Sequence, residues 1–376
     1  MELLKSPFPI FSPNPNNFSI IRLSTHCFRT RVSIKPPPPE FDFKSEILSG
    51  SRAIIAEMHP ELLDLADEGN LVVIRKSQFG PVPAWRTEFV EPEAIWLLGT
   101  NHVSEKSAVD VERVVQTVKP DNVVVELCRS RAGIMYTSTD TEVEPRLKSN
   151  PFSLTGSGFF GAIGRSINLG GQTALALRLL LATFSSKISS NINRPFGDEF
   201  RAARKASEEI SAQVVLGDRP IEITLERAWN SLKWNEKLSL VTSVLGGITS
   251  SSDQSKLNLK ESTTSDTDFQ LYEQLSFSYP SLLQPLIHER DTYIAWSLKR
   301  SKAVRDSKRV VGVIGRGHMN GVIYALISDL GDLRFRDLVG ERASNNGSWV
   351  DTIVKNLIRD TVIGVVIWVI YEQIKN

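Results

Sequence analysis

The sequence is poor in cysteine and histidine and has almost no net charge. Its two cysteines, Cys27 and Cys128, lie in unlike surroundings, one in a polar N-terminal stretch and one in an apolar run. A disulfide framework is therefore not expected, and no Cys-x-x-Cys pair is present to hold zinc. With 44 Lys and Arg against 43 Asp and Glu, the chain has no global field that would attract nucleic acid.

Acidic residues are missing from Leu3 to Pro39, a segment that is rich in Lys, Arg, Ser and Thr. This composition is typical of an organellar transit peptide, and a disordered tail without a targeting signal is the alternative. We expect residues 1–44 to form a disordered leader in which Pro36 to Pro39 is a stiff spacer. A chloroplast location is favoured, and the mitochondrion, including its outer membrane, is the alternative.

Long hydrophobic runs are also missing. The apolar run from Thr361 to Tyr371 is too short to cross a bilayer unaided, although Trp368 and Tyr371 suit a headgroup boundary. We predict that residues 341–376 form a linker and a C-terminal apolar helix that attaches the protein to an organelle membrane. A tail anchor, an interfacial helix and a helix packed on the domain all remain open.

Short Val- and Ile-rich runs alternate with helical patterns, which predicts an α/β fold. We expect a central, mostly parallel or mixed sheet flanked by helices, in one domain over residues 45–340. A helix over 104–118, with Ser107 as a possible cap, should join the first two strands. A helical cover within 156–190 and a disordered loop over 249–268 complete the prediction. The clearest strands are Ala94 to Leu98, Asn122 to Val125, Gln213 to Leu216 and Val310 to Ile314.

Polar side chains follow each of these four strands. In an open parallel sheet the carboxyl ends of the strands share one edge, where ligands bind, so these side chains should converge. Glycine at the strand exits indicates a sharp turn or a close approach that leaves no room for Cβ. The polar residues are His102, Glu126, Asp218 with Arg219, and His318, and the glycines are Gly99, Gly315, Gly317 and Gly321.

Three roles are open for His102 and His318. They could bind a metal, act as a general base with an electrophile, or satisfy loop backbone. Together with Glu126 they would form the ligand set of a hydrolytic Mn, Co or Zn site. Without metal, the same three residues could be a base and its orienter. Arg131 and Arg290 could each hold a substrate carboxylate or an oxyanion, or could form structural ion pairs with Glu126 and Glu289.

Six motifs occur in the order seen in the TraB/PrgY family, which is related to the Tiki proteins. The resemblance runs from about Trp96 to about Tyr324 and implies an α/β domain of the erythromycin esterase and ChaN-like group. The motifs are LLGTNHVSEKS, PDNVVVELCRSR, GDEFRAA, LGDRPIEITLERA, HERDTYIAWSL and VVGVIGRGHMNG.

The resemblance implies an active site built from two Gly-x-x-His motifs, glutamates and an arginine. It maps onto Gly99 with His102, Gly315 with His318, Glu126 with Arg131, and Glu289 with Arg290. Four further family positions have less clear roles: Glu199, Arg201, Asp218 and Arg219.

The function expected from these residues is a metal-assisted hydrolase or peptidase. His102, His318 and Glu126 would hold the ion, Glu289 would be the base, and Arg131 or Arg290 would steady the oxyanion. The resemblance implies a peptide or small molecule as substrate. One alternative is a membrane-tethered adaptor or organelle-contact protein with a vestigial site, and another is a metal-free esterase with His102 as base.

Overall fold

The computed structural model of the protein describes residues 34–83, 90–102, 104–136, 197–239, 279–300, 307–331 and 333–339. The strands are β1 Leu71–Arg75, β2 Ala94–Thr100, β3 Asn122–Val125, β4 Gln213–Leu216 and β5 Arg309–Gly315. The α-helices are α1 Phe43–Glu46, α2 Leu48–Met58, α3 Leu63–Asp67, α4 Glu105–Val118, α5 Asp198–Glu209, α6 Ile221–Ser231, α7 Glu289–Arg300, α8 Arg316–Ile327 and α9 Phe335–Val339. Short 3₁₀ turns lie at Pro60–Leu62, Lys76–Gln78, Ala132–Tyr136 and Pro280–Leu282, and the π-helix Gln284–His288 leads into α7.

The five strands form one mixed sheet in the order β1-β2-β5-β3-β4. β1 pairs antiparallel with β2, and the other neighbours are parallel. The predicted α/β class and the four predicted strands are confirmed, while β1, with the apolar run LVVIR, was not among them. The register places Thr100 opposite Gly315, so both Gly-x-x-His motifs leave the sheet at the same edge.

Helices cover both faces of the sheet because alternate strand residues point to opposite sides. On one face, Val123 and Val125 of β3 pack in a cluster with α2, α4 and α5. On the other face, Val124 packs in a cluster with α1, α7 and α8. A separate third cluster holds Cys128, residues of α6 and the turn at Pro280–Leu282. Cys128 is thus a buried core residue.

Helix α4 begins at Glu105, and Ser107 does not cap its first residue. The Ser107 hydroxyl instead accepts a hydrogen bond at 3.0 Å from the backbone N–H of Asn101. The predicted valine face is present, since Val111, Val114, Val115 and Val118 are completely buried. Ser107 therefore fixes the turn that carries His102 to the start of the helix.

The folded part begins before Ser45. Ile34, Phe41 and Phe43 are buried, and the Asn320 side chain accepts from the N–H of Phe43 and donates to the carbonyl of Phe41. Residues 34–43 therefore form a strap along α8, and the Pro36 to Pro39 run belongs to it rather than to a spacer outside the fold.

Four predicted segments lie wholly or largely outside the described residues: the leader at 1–33, the helical cover at 156–190, the loop at 249–268 and the C-terminal helix at 341–376. In the part of the chain that is described, no helix is long and apolar enough to cross a bilayer.

Candidate functional site

The predicted site residues at the ends of β2, β3 and β5 meet around Gly315. The backbone N–H of Gly315 donates to Oε2 of Glu126 at 2.8 Å. Nε2 of His318 lies 3.2 Å from Oε1 of Glu126. A Cβ on Gly315 would lie 2.8 Å from Nε2 of His102 and 3.4 Å from Oε2 of Glu126. Glycine is required here because a methyl group would occupy the space between the side chains.

Each histidine is held from behind by a buried carboxylate. Nδ1 of His318 lies 2.5 Å from Oδ1 of Asp291, and Nδ1 of His102 lies 2.7 Å from Oε1 of Glu199. A carboxylate oxygen accepts a hydrogen bond, so the proton of each pair belongs on Nδ1. Glu199, whose role the sequence left unclear, therefore joins the site.

Arg290 and Arg131 join the site through Asp218. Arg290 donates to Oε1 of Glu126 at 2.5 Å and to both oxygens of Asp218 at 3.2 and 3.0 Å. Arg131 donates to Asp218 at 2.5 Å and to the backbone carbonyl of Glu126 at 3.3 Å. The predicted ion pairs between sequence neighbours are therefore replaced by other pairs, since Glu126 pairs with Arg290 and Arg131 pairs with Asp218.

Glu289, the predicted base, is committed to a different network. Its carboxylate accepts from Arg219 at 2.5 Å and from Arg227 at 2.5 and 2.8 Å. Arg219 is completely buried and also donates to the backbone carbonyls of Pro285 and Leu338. These contacts indicate that Glu289 and Arg219 stabilise the fold. They give no support to a role of Glu289 as the base.

Arg201 also lies in a structural contact. It pairs with Asp198 and donates to the backbone carbonyl of Ile134 at 3.3 Å. It therefore ties the start of α5 to the 3₁₀ turn Ala132–Tyr136.

Sequence reasoning missed Asp291, although it directly follows two residues that were predicted. Residues 289, 290 and 291 occupy the first turn of α7, where successive side chains point about 100° apart. Glu289 therefore reaches Arg219, Arg290 reaches Glu126, and Asp291 reaches His318. An acid in the first turn of a helix usually indicates helix stabilisation, so the sequence carried no separate signal for this contact.

Opposite charges inside the site shift two pKa values strongly. Burial alone would raise the pKa of Glu126, but His318 and Arg290 outweigh it and hold that pKa well below its ordinary value. Burial alone would lower the pKa of His318, but Glu126 and Asp291 outweigh it and hold that pKa well above its ordinary value. The two carboxylates on either side of His318 therefore favour its protonated form.

The other predicted glycines differ in what surrounds them. A Cβ on Gly99 would lie 3.0 Å from the flexible Met319 side chain, while a Cβ on Gly317 would meet nothing within 4 Å. No contact within the described structure requires glycine at position 317, so a close ligand approach there stays a prediction. A Cβ on Gly321 would lie 1.9 Å from Oδ2 of Asp291. Gly321 therefore makes room for the carboxylate that holds His318.

The predicted metal ligands have suitable chemistry but not a suitable arrangement. Two imidazoles backed by carboxylates, together with a third carboxylate, are a common zinc or manganese donor set. However, Nη1 of Arg290 lies 3.3 Å from Nε2 of His318, and Nη2 lies 2.5 Å from Glu126. A guanidinium thus lies against two of the three donors and would repel a cation. Among the described residues, no three His, Cys, Asp or Glu side chains are placed to hold one ion.

Comparison with known proteins gives a consistent result. Residues 83–326 match the model of the TraB/PrgY/gumN family. A bovine protein named TraB domain-containing protein is 27% identical over 318 residues, which cover 78% of this chain and 81% of that protein. Its human counterpart is 27% identical over 70% of this chain and 72% of its own length. An uncharacterised protein of Methanocaldococcus jannaschii is 25% identical over 61% of this chain and 52% of its own length.

Proposed function

Because this chain belongs to the TraB/PrgY/gumN family, we propose that it is a hydrolase that cleaves an ester or amide bond at the site around Gly315. One observation carries the proposal. Nε2 of His102 and Oε2 of Glu126 approach the same point beside Gly315, where a single Cβ would touch both. A potential base, a fixed imidazolium and arginine donors are thus gathered at the carboxyl edge of the sheet, where ligands of open α/β sheets bind.

His102 is the proposed base. The hydrogen bond between Nδ1 and Glu199 makes Nε2 the acceptor nitrogen of the neutral ring. Glu126 is a poor base because its pKa is held low, and both of its oxygens already accept hydrogen bonds within the site. Nε2 of His102 takes a proton from water as the water oxygen bonds to the substrate carbonyl carbon. The carbonyl electron pair then moves to the oxygen, which becomes an oxyanion.

Arg131 is the proposed oxyanion donor. Within the described part of the chain, its Nε is buried and has no hydrogen-bond partner. The donors of Arg290 are directed at Asp218, Glu126 and the carbonyl of Leu286. A donor kept in place without a protein acceptor stabilises charge that develops in the transition state at little cost of reorganisation. When the tetrahedral intermediate collapses, the leaving group takes the proton from His102.

The test is hydrolysis by the purified full chain of aryl esters and of aminoacyl anilides, with and without chelator. We expect His102→Ala to lower kcat by about 10²- to 10⁴-fold, the usual contribution of a positioned base. His59→Ala is the matched control, because the His59 ring packs on Trp96 outside the site. Equal turnover by wild type and His102→Ala would reject the mechanism.

The metal prediction becomes an outcome of the same experiment. A Mn, Co or Zn ion would need Arg290 to move away from Glu126 and His318. Loss of turnover in chelator, with recovery on adding back one of these ions, would favour the metal-assisted form. Turnover that survives chelation favours the mechanism described above.

The substrate class and the location are also proposals. A peptide or small amide is the class that the family resemblance implies. Chloroplast import and attachment to an organelle membrane depend on residues 1–33 and 341–376, which lie outside the described residues. Fluorescent fusions of the full chain, with either segment deleted, test both. If the His102→Ala chain still complements a knockout while a chain without residues 341–376 does not, the membrane-tethered adaptor is the better description.

A further inference from the structure

We propose that Glu199 and Asp291 are positioning residues that fix the two site histidines in matching orientations. Each accepts from Nδ1 and thereby turns Nε2 toward Gly315 and Glu126. The inference rests on the proposed function for its catalytic consequence, but the orientation itself can be measured without any substrate.

The two pairs are alike in geometry although they come from separate parts of the chain. Asp291 lies in α7 and Glu199 in α5, while the histidines follow β5 and β2. The distances are 2.5 Å for Asp291 with His318 and 2.7 Å for Glu199 with His102. The Asp291 side chain is 4% exposed and that of Glu199 is completely buried. At such burial, a carboxylate holds an imidazole far more firmly than it would in water.

Packing behind Asp291 keeps this carboxylate in place. Gly321 leaves the space that Oδ2 of Asp291 occupies, since a Cβ there would lie 1.9 Å from it. Behind Asp291, Ile34 and Pro37 of the N-terminal strap line a small cavity together with Thr292. The N-terminal strap therefore lies next to Asp291 on the surface of α7 and α8.

The arrangement of the Glu199 carboxylate lowers the stability of the folded protein. In the described part of the chain, Oε2 of Glu199 is buried and has no hydrogen-bond partner. A buried acceptor without a hydrogen-bond partner destabilises the folded state. Stability alone gives no reason to keep a glutamate here, whereas holding the ring of His102 does.

The experiment records the ring nitrogens of the five histidines in the full-length protein, labelled with ¹⁵N-histidine, by long-range ¹H–¹⁵N correlation. The variants Glu199→Gln and Asp291→Asn keep the volume of each side chain and remove its charge. Asp110→Asn is the matched control, because Asp110 is 6% exposed on α4 and contacts Arg113 rather than a histidine.

We expect Glu199→Gln to change the nitrogen signals of His102 and Asp291→Asn to change those of His318, while the control changes neither. On an active substrate, each variant should lower kcat by about 10- to 100-fold, the usual loss when a supporting partner of a site histidine is removed, with KM nearly unchanged. Unmoved ring signals, or a fall in melting temperature alone, would overturn the inference. Shifted ring signals in a protein that hydrolyses none of the substrates would leave the positioning role standing and reject the hydrolase.

Discussion

Gly321→Ala is the substitution for which the structure gives the sharpest expectation. The new methyl group would lie 1.9 Å from Oδ2, 2.6 Å from Cγ and 3.1 Å from Cβ of Asp291. Non-bonded heavy atoms pack at about 3.5 Å, so the carboxylate must retreat by roughly 1.5 Å. A hydrogen bond of 2.5 Å to Nδ1 of His318 cannot survive that movement.

The energetic cost of this substitution has three parts. Overpacking in a buried position costs about 1–3 kcal/mol, and loss of a hydrogen bond between charged groups costs about 1.5–3 kcal/mol. Replacing glycine by alanine inside a helix stabilises the helix by up to about 1 kcal/mol. We expect a net loss of about 1.5–5 kcal/mol, which for a domain of this size corresponds to a fall in Tm of about 3–20 °C.

Gly317→Ala is the matched control, since Gly317 lies in the same helix and its Cβ would meet nothing within 4 Å. Its effect on the free energy of unfolding should stay within about 1 kcal/mol and be stabilising in sign. Urea unfolding of wild type and both variants, together with the ring nitrogen signals of His318, measures the difference. Equal stability of the two variants, with His318 unmoved, would refute the close contact between Gly321 and Asp291.

Substitutions at Glu289, Gly315 and His318 test other contacts of the molecule. Glu289→Gln leaves the guanidinium of Arg219 buried beside a neutral amide, and calorimetry should show a loss of up to about 3–5 kcal/mol. Gly315→Ala displaces Nε2 of His102, so turnover should fall. The backbone angles of Gly315 suit alanine, so circular dichroism should show an unchanged fold. Burial lowers the pKa of His318, but two carboxylates raise it by a larger amount, so the pKa in the folded protein lies above the ordinary value. The stabilisation that protonated His318 provides is therefore fully present below about pH 6.5 and is lost as the pH rises through the folded pKa. The stability difference between wild type and His318→Gln, measured by urea unfolding from about pH 6 to about pH 10, should shrink with pH, and a difference that grows would contradict this sign.

Much of the fold could be predicted from local patterns. Uninterrupted apolar runs of strand length indicated β2, β3, β4 and β5. Helices bury β2, β3 and β5 on both faces, while the edge strand β4, expected to be equally buried, is only half-buried. The run LVVIR of β1 has the same character and could have been predicted in the same way. The extent of the N-terminal strap could not be predicted from the sequence. Nothing in its proline-rich composition indicates that the Asn320 side chain will form hydrogen bonds with the backbone of Phe41 and Phe43.

The sequence by itself determined the α/β class, the family and the residues that leave the sheet at its carboxyl edge. Strand period and motif order are properties of neighbouring residues, so they can be read along the chain. Only the tertiary structure decided which side chains pair with each other in the site. Glu126 meets Gly315 because β5 inserts between β2 and β3, and Asp291 meets His318 because α7 packs on α8. Charged side chains pair with whichever opposite charge the packing of helices and strands brings near, and that packing is not visible in any one segment.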